Sequence, residues 1–247
     1  MLLTLFDAFR SGEDVRFIIV EMLLMLPVIL FSLSIHESAH GFIAYKCGDP
    51  TAHNLGRITL NPIKHFDPIG SLMMLFLGFG WAKPVPVNSR YFKKPKRDMA
   101  LTAAAGPVSN LIVAFISVLI YIFVEWVFFG GFHGLGLWIA PEELAVSEKI
   151  GVVLMDLFYI SAFMNCTLAL FNLIPIPPFD GSRIAFAFLP DKIYWGIMKY
   201  ERIILIVVLA LSFTASRLGI GLSFGGLAER LIAGVYSHFL WFIGLFA

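Results

Sequence analysis

The stretch "LSIHESAHGFIAYKCGD", residues 33–49, closes an apolar run, Phe17–Ile35, with two histidines and a glutamate. On a helix, positions i and i+4 share a face, so His36 and His40 can reach one metal ion. Glu37 lies about 100° round the helix from His36 and can reach a water in the metal's open position. This is the spacing of a zinc hydrolase: two neutral nitrogen ligands and a carboxylate base. The setting strengthens the reading. An ionisable group in lipid costs several kcal/mol unless it has a partner, and here there are three. Snorkelling to the interface is the alternative. His36 is ten residues before Lys46, so it lies about 15 Å in from that helix end, too deep for snorkelling to serve.

Composition agrees with a lipid setting. Of 247 residues 59% are hydrophobic and only 14% charged, against roughly 25% charged in an ordinary globular domain. The mean hydropathy is +0.85. The chain reads as an α-helical multi-pass membrane protein, one domain over residues 1–247, with about five to six transmembrane helices and a small membrane-associated β or re-entrant element. The lipid bilayer is therefore a partner. A net charge of +1 gives no argument for nucleic acid. Cys47 and Cys166 fall in different contexts, and no CxxC pair exists, so neither a disulfide nor a thiolate metal site is expected. The first apolar stretch is too long for the h-region of a signal peptide.

Five helices are expected, over about 15–46, 99–129, 150–173, 201–218 and 227–247. The last is either a span or an interfacial helix. Between the first two, prolines, glycines and the triplets of "GRITLNP" and "KPVPVN" surround a short apolar run, 69–81. That run is too short to cross, so short strands with a re-entrant or interfacial element are expected. Charge sets the topology. The segment 46–97 holds nine of the 18 basic residues and is expected to be cytoplasmic. The loop 130–149 carries Glu142, Glu143 and Glu148 against Lys149 and faces out. The segment 181–202, with Arg183, Lys192, Lys199 and Arg202, faces in. The histidine pair then lies nearer the cytoplasmic face.

A catalytic zinc needs a third protein ligand and an open position. "NLIPIPPFDGSR", 172–183, offers Asp180 at a helix end on the same side. Pro175, Pro177 and Pro178 stop the helix, and Gly181 permits a tight turn. Asp-Gly is also a common loop turn. "AAAGPVSN", 103–110, puts Gly106 where helices can approach closely and Asn110 on an apolar helix. Such an asparagine serves as interhelical glue, or it holds a substrate carbonyl or developing oxyanion.

Together these motifs resemble the site-2 protease family, the intramembrane zinc metalloproteases. The family pattern is HExxH, then GPxxN, then NxxPxPxxDG. It appears here as His36–His40, Gly106–Asn110 and Asn172–Gly181, in order, within a resemblance over about 15–190. That stretch would be the catalytic core, followed by C-terminal helices over about 195–247. The resemblance is to a compact form without a PDZ or CBS domain. It implies that His36, His40 and Asp180 bind Zn²⁺ and that Glu37 is the general base. It implies that Asn110 and Asn172 bind substrate or stabilise the tetrahedral intermediate. The region 55–90 would pair with the substrate as a strand. The implied partners are transmembrane protein substrates, cut within or near their membrane segments in regulated intramembrane proteolysis. The implied location is a bacterial or archaeal cell membrane.

Other residues compete weakly. "GLSFG", 221–225, fits GxSxG with His238 following, but no strand–turn–helix context accompanies it. His65 is the one substitute ligand of note. A non-proteolytic metal-binding or transport protein, or an inactive protease scaffold, would use the same ligands. Neither would need Glu37, which is intact.

Overall fold

In the computed structural model, the described residues are 15–70, 82–132, 134–135, 144–201, 203–208 and 224–244. Helix α1 (Val15–Lys46) has an unbroken apolar pattern with Pro27 inside it. It stops where Asp49 N–H and Gly48 N–H bond back to Ala44 O and Tyr45 O, a two-bond closure that satisfies the last carbonyls. Short helices α2 (Thr51–Asn54) and α3 (Pro62–His65) follow. Asn61 caps α3 by accepting from Ile63 N–H, and Pro62 stands where a helix tolerates proline.

The remaining helices are α4 (Pro95–Phe129), α5 (Val146–Asn172), α6 (Asp180–Phe186), α7 (Asp191–Met198) and α8 (Phe224–Gly244). Helix α4 is central and packs on α1, α5, α6 and α8. Its core with α5 and α8 includes Val118, Tyr121, Ile122, Met155, Ala162 and Ile232, all buried. Helix α5 ends at Asn172, three residues before Pro175. Its first turn is closed by Ala145 N–H donating to Glu148 Oε2 at 2.8 Å.

Three described helices are long and apolar enough to cross a bilayer: Met22–Lys46, Pro95–Phe129 and Val146–Asn172. At about 1.5 Å per residue each exceeds the ~30 Å hydrocarbon core. With this composition the chain is an integral membrane protein. The expected five to six spans would draw on two further segments. Of 201–218, residues 201 and 203–208 are helical and the rest lies outside the described residues. Of the last run, 227–244 lie in α8 and 245–247 lie outside the described residues.

The expected strands are not found: no strand forms among the described residues of 55–90, and most of the 69–81 run lies outside the described residues. In "KPVPVN" the physical reason is its prolines. Pro84 and Pro86 have no N–H to give a ladder. The run is open backbone held by other partners. Lys83 N–H donates to His65 O at 2.9 Å. Arg57 Nη2 donates to Lys83 O and Pro84 O at 2.7 and 3.3 Å. Asn88 N–H donates to Asp49 Oδ2 at 2.6 Å.

Candidate metal centre

Helix α1 carries His36 and His40 one turn apart, and the Pro-rich turn after α5 delivers Asp180 as the first residue of α6. Both imidazole Nε2 atoms stand 3.2 Å from Asp180 Oδ2. Among the described residues, these three form a group able to hold a metal ion. The two rings meet edge to face, with centroids 4.6 Å apart.

Hydrogen bonding on the far side of each ring decides what the near side is. His36 Nδ1–H donates to Asn110 Oδ1 at 2.5 Å. His40 Nδ1–H donates to the backbone carbonyl of Thr102 at 2.7 Å. A neutral imidazole with Nδ1 protonated presents a lone pair at Nε2. With both rings neutral, two lone pairs face Asp180 Oδ2, which is buried. Three acceptor atoms converging without a donor is an arrangement that a cation completes. The 3.2 Å spacings also suit zinc, because tetrahedral ligands at about 2.0–2.1 Å lie about 3.3 Å apart. The residues fit the ion.

Glycine at 106 is a steric requirement. A Cβ there would come within 2.5 Å of His40 Nε2 and 2.6 Å of His36 Nε2, so the rings lie against the bare backbone of α4. Gly106→Ala is expected to push the rings off their geometry. Overpacking of this kind costs about 1–3 kcal/mol, or roughly 5–150-fold in zinc affinity. Competition against a chelator measures it, and unchanged affinity would contradict the packing account. Gly181 meets a similar limit, since its Cβ would fall 2.2 Å from Leu173 O. A bare residue lets the first turn of α6 press on the end of α5.

Glu37 is half-buried beside this cluster. Its Oε2 accepts Val85 N–H at 2.7 Å, so the open run 82–88 anchors the carboxylate. Asn110 is fully buried, and its amide is committed within the helix bundle. Besides accepting from His36, it donates to Asn165 Oδ1 at 2.7 Å and Ser32 O at 3.3 Å. Asn172 turns back on its own helix, donating to Leu168 O at 2.9 Å. His65 is not in the cluster: its Nε2–H donates to Thr59 O at 2.9 Å, with Ser38 Oγ 3.4 Å away. Ser223 lies outside the described residues. His238 is exposed on α8, and its Nδ1–H donates to Gly234 O. Sequence reasoning missed Thr102, Asn165, Ser32 and Val85 as neighbours of the site. Only Asn165 carried a signal, as an amide in an apolar helix.

Such a cluster, set into helices of membrane length beside a carboxylate, defines a membrane-embedded metal hydrolase. The chain belongs to peptidase family M50, the site-2 protease family, whose pattern matches residues 24–215, and it is a zinc metalloprotease. It is 41% identical over 190 residues to the Bacillus subtilis (strain 168) protein named "Putative zinc metalloprotease YwhC", across 77% of this chain and 80% of that one. Two proteins named "Putative zinc metalloprotease Rip2" are 28% identical. One is from Mycolicibacterium smegmatis, over 62% of this chain and 52% of that one. The other is from Mycobacterium tuberculosis (strain H37Rv), over 70% and 61%. No solved structure matches the chain.

Proposed function

We propose that the protein is an intramembrane endopeptidase that hydrolyses peptide bonds within or near the transmembrane segments of other membrane proteins. The observation that carries this is the convergence of His36 Nε2, His40 Nε2 and Asp180 Oδ2, with 3.2 Å from each nitrogen to the oxygen, beside a held glutamate. His36, His40 and Asp180 would hold Zn²⁺. The bound ion supplies Lewis acidity and brings water's acidity toward neutral pH. Glu37 takes the proton from the attacking water and returns it to the leaving amine. Val85 N–H holds Glu37 at that task. Asn110 orients His36 rather than touching substrate, since its amide is already committed. Asn172 is the asparagine left for substrate contact.

A transmembrane helix hides its peptide bonds in internal hydrogen bonds, so the substrate must unwind locally. The open run 82–88 lies against Glu37 through Val85, and an unwound substrate segment passing it would reach the base. The charge pattern of the loops supports a multi-pass protein with its site nearer the cytoplasmic face. We place it in a bacterial or archaeal cell membrane, acting in regulated intramembrane proteolysis.

The test is co-expression with candidate single-pass proteins, followed by sizing of products in wild type and Glu37→Gln. In purified form a zinc chelator is expected to abolish cleavage and added zinc to restore it. A serine-directed inhibitor is expected to leave it unchanged. The opposite pattern, or zinc flux across vesicles without cleavage, would overturn the proposal.

A further inference from the structure

We propose that Asn165 is a positioning residue which, through Asn110, fixes the tautomer of His36 that binds the metal. The inference rests on the reading of His36 as a ligand. It identifies a hydrogen-bonded relay of fixed direction, running from the backbone of α5 to the zinc site.

A ligating Nε2 needs its lone pair free, so Nδ1 must carry the proton and must face an acceptor. His40 meets this directly, because a backbone carbonyl, Thr102 O, can only accept. His36 faces the side-chain amide of Asn110, and an amide can present either end. With its NH₂ turned toward His36, Asn110 would favour the opposite tautomer, whose Nε2–H cannot bind metal. Something must hold its direction.

Asn165 does so. It is fully buried, and its Nδ2 donates to Ser161 O at 2.8 Å. That carbonyl can only accept, so the NH₂ of Asn165 must face it. The same NH₂ donates to Ser32 Oγ at 2.8 Å. That hydroxyl spends its own proton on Val28 O at 2.7 Å. Asn165 Oδ1 therefore points at Asn110 and demands a donor, which Asn110 Nδ2 supplies at 2.7 Å. Asn110 Oδ1 is left facing His36, and the proton stays on Nδ1. In an apolar bundle a reversed amide would leave buried donors and acceptors mismatched at every link.

The experiment measures zinc affinity of the full-length protein in detergent by competition against a chelator. Asn165→Leu is expected to weaken zinc binding about tenfold, the lower end of what partners of metal ligands contribute. Asn165→Ser removes the same amide with less bulk and carries the same expectation, should the leucine variant fail to assemble. Asn110→Asp offers His36 a group that accepts at either oxygen, so direction no longer matters. In that background the Asn165 substitution is expected to cost less than about threefold. Affinity within about twofold of wild type for the Asn165 variants overturns the proposal. So does an equal loss in both backgrounds, which would mean a packing role alone. A wild-type protein that binds no zinc would remove the ligand reading together with this one. A zinc-loaded wild type with unaffected Asn165 variants would remove only this one.

Discussion

Glu37→Gln is expected to lower peptide cleavage by about 10²–10⁴-fold while the purified protein keeps its zinc. The substitution is nearly isosteric. A glutamine oxygen can still accept Val85 N–H, the 2.7 Å bond that holds the glutamate. The three metal-binding candidates do not involve residue 37. What is lost is the ability to take up a proton and pass it on. Turnover of a single-pass substrate in vesicles and the zinc content of the same preparation give the two readings. Cleavage near the wild-type rate would remove Glu37 as the base. Loss of zinc alongside loss of cleavage would make its role structural.

The second large effect is on the metal itself. His36→Ala, His40→Ala and Asp180→Ala are each expected to take zinc from about one per chain to nearly none, and cleavage with it. A catalytic zinc has three protein ligands. Removing one forfeits several kcal/mol of a binding energy of order 10 kcal/mol, roughly a thousandfold or more in affinity. Asp180 is the most informative of the three, because its Oδ2 faces both imidazoles at 3.2 Å and comes from a different helix. His53→Ala is the control. That ring is exposed and stacks on Tyr45, and its loss is expected to leave zinc unchanged. Metal analysis of the purified variants decides the matter. Full zinc in Asp180→Ala would contradict the proposed ligand set.

Much of this was legible from residue order. The first apolar helix was expected over 15–46 and forms Val15–Lys46, because its length and hydropathy leave little choice. The next begins at Pro95 rather than near 99, since proline is favoured at a helix's first position. His36 and His40 show the i, i+4 spacing of a ligand pair, and the family resemblance of the 172–181 stretch adds Asp180 to them. The groups that orient them left less of a mark. Thr102 acts on His40 through its carbonyl, and Val85 acts on Glu37 through its N–H. A backbone group carries no residue signature. Asn165 is an amide in an apolar helix, yet nothing in the sequence says which helix it faces. Its partners lie 55 and 133 positions away. "KPVPVN" read as strand because proline and valine favour extended backbone. Ladder formation depends on N–H groups that the two prolines lack.

The most direct test of the central claim is the position of the cut. Wild-type protein, reconstituted with zinc in vesicles beside a single-pass substrate, yields fragments whose masses locate the broken bond. The broken bond is expected inside the apolar segment or within about one helical turn of its end, with no such fragment from Glu37→Gln. Cuts confined to the substrate's water-exposed loops, or the same fragments from the Glu37→Gln variant, would contradict it.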